Sequence, residues 1–190
     1  MFQDTNEQPP RHGEAMTPQE FEQLVEHSPD TRYEYVRGRA YAMSGETTNH
    51  SRLSHQFYRL LEDQLTDDPC RPFSGVHVLL IANARALPDI VVTCDVSDNS
   101  KDAALIISPH LVVEVLSTSS ERIDRNEKFI AYTNTPSIEE YVLVHQHQLQ
   151  AEVYRRADEW VPHIYKQGEE IELVCLDIRF SLDELYKVLL

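Results

Sequence analysis

The chain has 190 residues, 41% of them hydrophobic, enough for one domain with a real core. Lys and Arg number 17 against 32 Asp and Glu, a net charge of −15, which excludes a basic protein that coats nucleic acid by neutralising phosphates. No apolar run approaches the ~20 residues of a membrane helix, and the N-terminal residues lack the basic start and apolar stretch of a signal peptide, so the expectation is a cytoplasmic protein.

Residues 1–15 are polar, with Pro9-Pro10 and Gly13, and are expected to form a mobile tail. That leaves residues 16–190 as a single domain. Thr17-Pro18-Gln19-Glu20 reads as a capping box opening a helix to about His27. Two short strands, about 33–37 and 39–43, then flank a turn at Arg37-Gly38. Their alternation puts Tyr33, Tyr35 and Arg37 on one face, Glu34 and Val36 on the other. Leu53, Phe57, Leu60, Leu61 and Leu65 recur with helical spacing from Thr48 to about Leu65, with Asn49 and His50 at the helix start.

Three apolar segments follow, at about 71–80, 89–93 and 111–116. The last two are continuous runs, as expected of strands covered on both faces. Residues 96–108 read as a loop. Ser119 or Ser120 would cap a helix over about 121–134, closed by Asn134-Thr135-Pro136. YVLVHQ gives another strand, and LQAEVYRR with the stretch around Trp160–Tyr165 suits a hairpin. Ser181-Leu182-Asp183-Glu184 reads as a second capping box. The sum is an α/β domain: a central mixed β-sheet of five to seven strands, flanked by about three helices and extended by C-terminal β-hairpins. Cys70, Cys94 and Cys175 form no CxxC pair. They read as small core residues rather than a zinc site or a disulfide scaffold.

Glu114 interrupts the apolar run LVVEVL, where a carboxylate needs a partner or a metal unless it faces water at the strand end. Asp89 precedes Ile90-Val91-Val92 in a Pro-Asp pair, which alone is an ordinary turn signal. Together they make a candidate two-carboxylate site, and hard oxygen donors suit Mg²⁺ or Mn²⁺. Other constellations fail. The chain has no GxGxxG, P-loop or GxSxG. Ser117-Thr118-Ser119-Ser120 has no evident activating base. His145 and His147 lack a nearby carboxylate in sequence, which argues against zinc.

Pro88-Asp89 followed by Glu114 in an apolar strand resembles the PD-(D/E)XK nuclease superfamily. More closely, MTPQEFEQL, RYEYVRGRAYAMSG, TNHSRLS, LPDIVV, LVVEVLSTSSERIDRNEKFIAY and IEEYVLVHQ resemble the Uma-type restriction endonuclease family over residues 16 to about 146. The resemblance implies a restriction-endonuclease-like core and Mg²⁺-dependent (or Mn²⁺-dependent) hydrolysis of DNA phosphodiester bonds. Asp89, Glu114 and Lys128 would be catalytic, and Asp89, Glu114 and Glu34 would hold the metal. His50, Asp124 and Tyr132 would support them. The superfamily's E-x-K lysine is replaced here by Leu116. The resemblance moves that role to Lys128, four residues after Asp124 and on the same helical face; without it the pair reads as a solvated ion pair. The expected role of Lys128 is electrostatic, since acids packed nearby would keep it charged. Arg32, Arg37, Arg39, Arg52, Arg59, Arg122 and Arg125 would supply a local basic groove, and by analogy the chain would act as a homodimer. The alternative is a non-catalytic nucleic-acid- or protein-binding module on the same fold.

Overall fold

A computed structural model describes residues 13–43, 45, 47–100 and 104–189. The expected tail therefore falls largely outside the described residues. Its last two residues form β1 (Glu14–Ala15). Helix α1 (Pro18–His27) follows, with the anticipated box: the Thr17 hydroxyl accepts from the Glu20 amide, and Glu20 Oε2 accepts from the Thr17 amide at 2.7 Å. β2 (Tyr33–Val36) and β3 (Arg39–Ala42) form an antiparallel hairpin, and β1 pairs with β3. Arg37 and Gly38 both have positive φ, the two-residue turn whose twist matches the strands. Tyr33 and Tyr35 pack on Phe21 of α1, while Val36 faces a different core cluster.

Helix α2 (Thr48–Gln64) is capped by Thr47, whose hydroxyl accepts from the His50 amide; Asn49 and His50 lie inside its first turn. The expected 71–80 segment breaks at Ser74-Gly75 into β4 (Arg71–Phe73) and β5 (His77–Leu79), which join different sheets. β6 (Arg85–Ala86), β7 (Ile90–Thr93), β8 (Leu105–Ile106) and β9 (Pro109–Leu116) follow. The 121–134 helix is composite: α3 (Glu121–Ile123), a π-helical turn (Asp124–Lys128) and α4 (Phe129–Thr133). Ser120 precedes it without a side-chain capping bond, because its hydroxyl bonds Ser117 instead. The chain ends with β10 (Glu140–His145), β11 (Gln150–Arg155), β12 (Pro162–Lys166), β13 (Glu170–Leu173), β14 (Ile178–Ser181) and α5 (Leu182–Tyr186). Ser181 caps α5 through the Asp183 amide, while the Glu184 side chain turns to Lys187 instead of closing a box.

The central sheet has the order β12-β11-β10-β9-β7-β4, parallel between β9 and β10 and antiparallel elsewhere. The β11–β12 hairpin extends it as expected, whereas β13 and β14 form a separate two-stranded sheet. The apolar runs of β7 and β9 are buried on both faces. On one face, Ile90, Val92, Val113 and Val115 pack with Leu53, Phe57 and Leu61 of α2 and with Leu182 and Leu185 of α5. On the other, Val91, Val112 and Leu143 meet Val36, Val78 and Ala86 of the second sheet, together with Ala131 and Tyr132 of α4. The second sheet runs β1-β3-β2-β6-β5-β8.

Two of the three cysteines depart from the sequence reading. Cys70 and Cys94 are disulfide-bonded, and Cys175 is free. The β4–β7 register pairs Arg71 with Thr93, so the cysteines face each other one position beyond. Strand pairing supplies this proximity, and a 24-residue separation in sequence does not show it.

Candidate active site

The register of β7 on β9 pairs Ile90 with Val113. One position on, Asp89 falls across from Glu114, and Asp89 Oδ2 accepts the Val115 amide at 2.6 Å. Glu114 shares its strand face with Val112 and Leu116, the side covered by the second sheet and α4. Its carboxylate is 4% exposed. It is not stranded there. Glu114 Oε1 accepts from Lys128 Nζ at 2.9 Å and from the Tyr132 hydroxyl at 2.8 Å.

Lys128 reaches this point from the π-helical turn. The extra residue in that turn re-aims the side chains around it, a device common at functional sites. Its ammonium stands 2.8 Å from Glu34 Oε1, 2.9 Å from Glu114 Oε1 and 3.3 Å from Asp124 Oδ1. Glu34 comes from β2, where alternation turns it inward beside Val36, and the Leu87 amide donates to the same Oε1 at 2.8 Å. His50, in the first turn of α2, places Nε2 3.2 Å from Asp89 Oδ2. Asp89, Glu114, Lys128, Glu34, His50 and Asp124 all line one cleft of about 360 Å³. Tyr132 stands behind Glu114, fully buried.

The electrostatics follow from burial. Desolvation pushes the Glu34, Glu114 and Asp124 carboxyls above the usual range, with Lys128 pulling the other way. Burial alone would lower the Lys128 ammonium, but Glu114, Glu34 and Asp124 outweigh it and hold it well above its ordinary value. Lys128 is therefore a charged group at neutral pH and not a base. The Tyr132 hydroxyl is pushed up by burial and by Glu114, so it remains a donor.

Among the described residues, no three His, Cys, Asp or Glu side chains converge as ligands for one ion. Glu34, Glu114 and Asp124 each turn an oxygen to Lys128 instead. Glu114 Oε2 and Asp89 Oδ1 make no hydrogen bond among the described residues, and both carboxylates face the cleft. Two hard oxygens on facing strands fit a small divalent ion that keeps several waters.

The basic groove expected from seven arginines is not built at the cleft. Lys128 is the one Lys or Arg lining it among the described residues. Arg122 pairs with Glu127 and Arg125 with Glu121 and Glu152, while Arg39 donates to the Gly13 carbonyl and Arg59 to Gln56. Gln146, which the sequence did not single out, completes the wall after β10 together with His147, and Ser117 to Ser120 complete it after β9, residues for which the sequence argued against a zinc or nucleophile role. Thr47 donates to Gln146 Oε1 at 2.7 Å, tying the start of α2 to the end of β10. Their shared signal is position, since β9 and β10 are parallel and the cleft lies beyond their C-terminal ends.

The sequence model of the Uma2 family, described as "Putative restriction endonuclease", matches residues 18–183. The chain belongs to the Uma2 family. Two relatives of this Uma2 protein come from Synechocystis sp. "Uncharacterized protein slr1290" is 33% identical over 176 residues, 90% of this chain and 92% of that protein. "Uncharacterized protein sll1609" is 31% identical over 153 residues, 76% of this chain and 85% of that protein. The fold matches the crystal structure of a "putative nuclease belonging to DUF820" from Anabaena variabilis ATCC 29413. That match has a TM-score of 0.73 at 14% identity, over 85% of this chain and 93% of that one. The nuclease-like α/β fold is thereby shared.

Proposed function

We propose that this Uma2 chain is a metal-dependent endonuclease that hydrolyses phosphodiester bonds of DNA. The observation that carries the reading is the meeting of Asp89, Glu114 and Lys128 in one cleft from three separate elements. Asp89 and Glu114 would hold Mg²⁺ or Mn²⁺ through their cleft-facing oxygens. Bound there, the ion supplies polarisation of the scissile phosphate and a water of lowered pKa.

The chain's own residues do the rest. Lys128, charged and held by Glu34, Glu114 and Asp124, offsets negative charge that grows on the phosphate in the transition state. Glu34 is a positioning residue here, because its Oε1 accepts from Lys128 and from the Leu87 amide. Tyr132 and the Val115 amide fix the two carboxylates, and His50 holds Asp89 from α2. Pre-set donors of this kind need no reorganisation during reaction.

The test is cleavage of supercoiled plasmid and single-stranded DNA by the purified protein in Mg²⁺, Mn²⁺ or EDTA, beside Asp89→Ala. Metal-dependent cutting that Asp89→Ala loses is the expected result. Cutting that survives in Asp89→Ala places the chemistry elsewhere. Metal binding without any cutting points to a non-catalytic module.

A further inference from the structure

Asp89 borders a second depression as well as the cleft. This neighbour, about 510 Å³, lies between α2 and the Ser74-Gly75 turn. Its wall includes Arg32, Ser51, Ser54, His55 and Tyr58, with Asp89 as its one acid among the described residues. That is unusual on a chain of net charge −15. Arg85, Arg122, Arg125, Arg155, Arg156 and Arg179 all pair with carboxylates, whereas Arg32, like Arg37, Arg39, Arg52, Arg59 and Arg71, makes no ion pair among the described residues, and of these six it alone lines either depression. Its place is nevertheless defined. The Met43 amide donates to the Arg32 carbonyl at 2.9 Å, and Met43 itself borders both depressions. A Cβ at Gly75 would lie 3.6 Å from Arg32 Nη1, so the guanidinium rests against that turn.

We propose that this depression seats the nucleotide next to the scissile phosphate, with Arg32 binding the flanking phosphate, and that the strand it takes is single. The proposal rests on the nuclease reading above and names its substrate class. A guanidinium without a carboxylate partner, in a depression that Ser51, Ser54, Ser74 and Tyr58 also line, matches a phosphate diester. Tyr58 adds an aromatic side chain of the kind on which unpaired bases stack. Duplex binders neutralise many phosphates, about 6–10 in strongly salt-dependent cases. Here the described residues of the two depressions offer Lys128 and Arg32 alone. Such a surface suits a short stretch of single strand crossing Asp89 from one depression to the other.

The experiment is fluorescence anisotropy of a labelled single strand of about ten nucleotides and of the matching duplex, in EDTA so that neither is cut, over roughly 50–200 mM salt. Arg32→Gln should weaken single-strand binding about tenfold. It should also flatten the log–log salt slope by about 0.7, one phosphate contact. Arg179→Gln, on the separate β13–β14 hairpin, should change neither. Single-strand binding and slope unaffected by Arg32→Gln would overturn the subsite. Tighter duplex than single-strand binding would overturn the substrate class. Hydrolysis of bis(p-nitrophenyl) phosphate by the unmodified protein in Mn²⁺ reads the catalytic cleft alone. If that occurs while either overturning result is found, the nuclease reading stands and the subsite falls. If the unmodified protein neither hydrolyses the diester nor binds the strand, both fall.

Discussion

Lys128→Met removes the single ammonium that three buried carboxylates share while keeping the length of the side chain. Glu34, Glu114 and Asp124 are 5%, 4% and 1% exposed, so solvent cannot take its place. Removing one partner of a buried ion pair costs about 3–5 kcal/mol, because the remaining charge is left uncompensated. With a urea m-value of about 2 kcal/mol/M, the unfolding midpoint should fall by roughly 1.5–2.5 M near neutral pH. The sign of the pH dependence follows from the carboxyls. Their folded-state pKa values are already raised by burial, and Lys128 is the group that opposes the rise. Without it they rise further. A raised folded pKa contributes stability that is fully present below the unfolded value and lost as pH climbs through the folded one. The penalty of Lys128→Met should therefore be small near the unfolded carboxylate pKa of about 4 and grow toward pH 8. Urea titrations followed by far-UV circular dichroism at about pH 5 and pH 8 measure it. A loss equal at both pH values, or below about 1 kcal/mol at pH 8 as for an exposed pair, would refute a buried charge cluster.

Glu114→Gln keeps an acceptor for Lys128 and Tyr132 but removes a buried charge, so the protein should fold with unchanged or raised stability. Calorimetric titration with Mn²⁺ should then show metal affinity lost; unfolding with affinity intact would mean the acid is purely structural. Glu152 is buried, and burial raises its carboxyl, but hydrogen bonds from Arg125, Tyr154 and His145 prevail and bring it down to about 2. Its stabilisation is present above the ordinary carboxylate value and is lost as pH falls toward 2. Glu152→Gln should thus flatten the acid limb of the stability profile, and acid titration of both proteins by circular dichroism checks this. Thr17→Ala removes the hydroxyl that caps α1 and should cost about 1 kcal/mol, read as a lowered denaturation midpoint.

Local order in this protein is written locally. The Thr17–Glu20 box, the period of α2 and the apolar runs of β7 and β9 depend on residues within a few positions of each other, so the sequence displays them directly. Alternation in β2 likewise separates Glu34 and Val36 from Tyr33 and Tyr35. The candidate site was legible in part for a related reason. A carboxylate inside LVVEVL conflicts with its surroundings, and the conflict marks Glu114 as a residue that must have partners. Family resemblance, not spacing, pointed to Lys128, since an Asp and a Lys four residues apart on a helix are commonplace on surfaces.

Tertiary structure decided what depends on distant pairing. Antiparallel register brings Asp89 across from Glu114, and Cys70 opposite Cys94, though each pair is separated by more than twenty residues. No short-range pattern encodes register, because it is set by burial of whole strand faces. The same holds for charge. A basic groove was a fair expectation from where the arginines fall in the chain, but folding paired Arg122 and Arg125 with acids and left Arg32 as the one arginine lining either depression among the described residues. The residue types and their spacing specified the elements and one conspicuous acid. Which carboxylates share Lys128, which arginine reaches the depressions, and where the two depressions meet at Asp89 were fixed only when the sheets packed together.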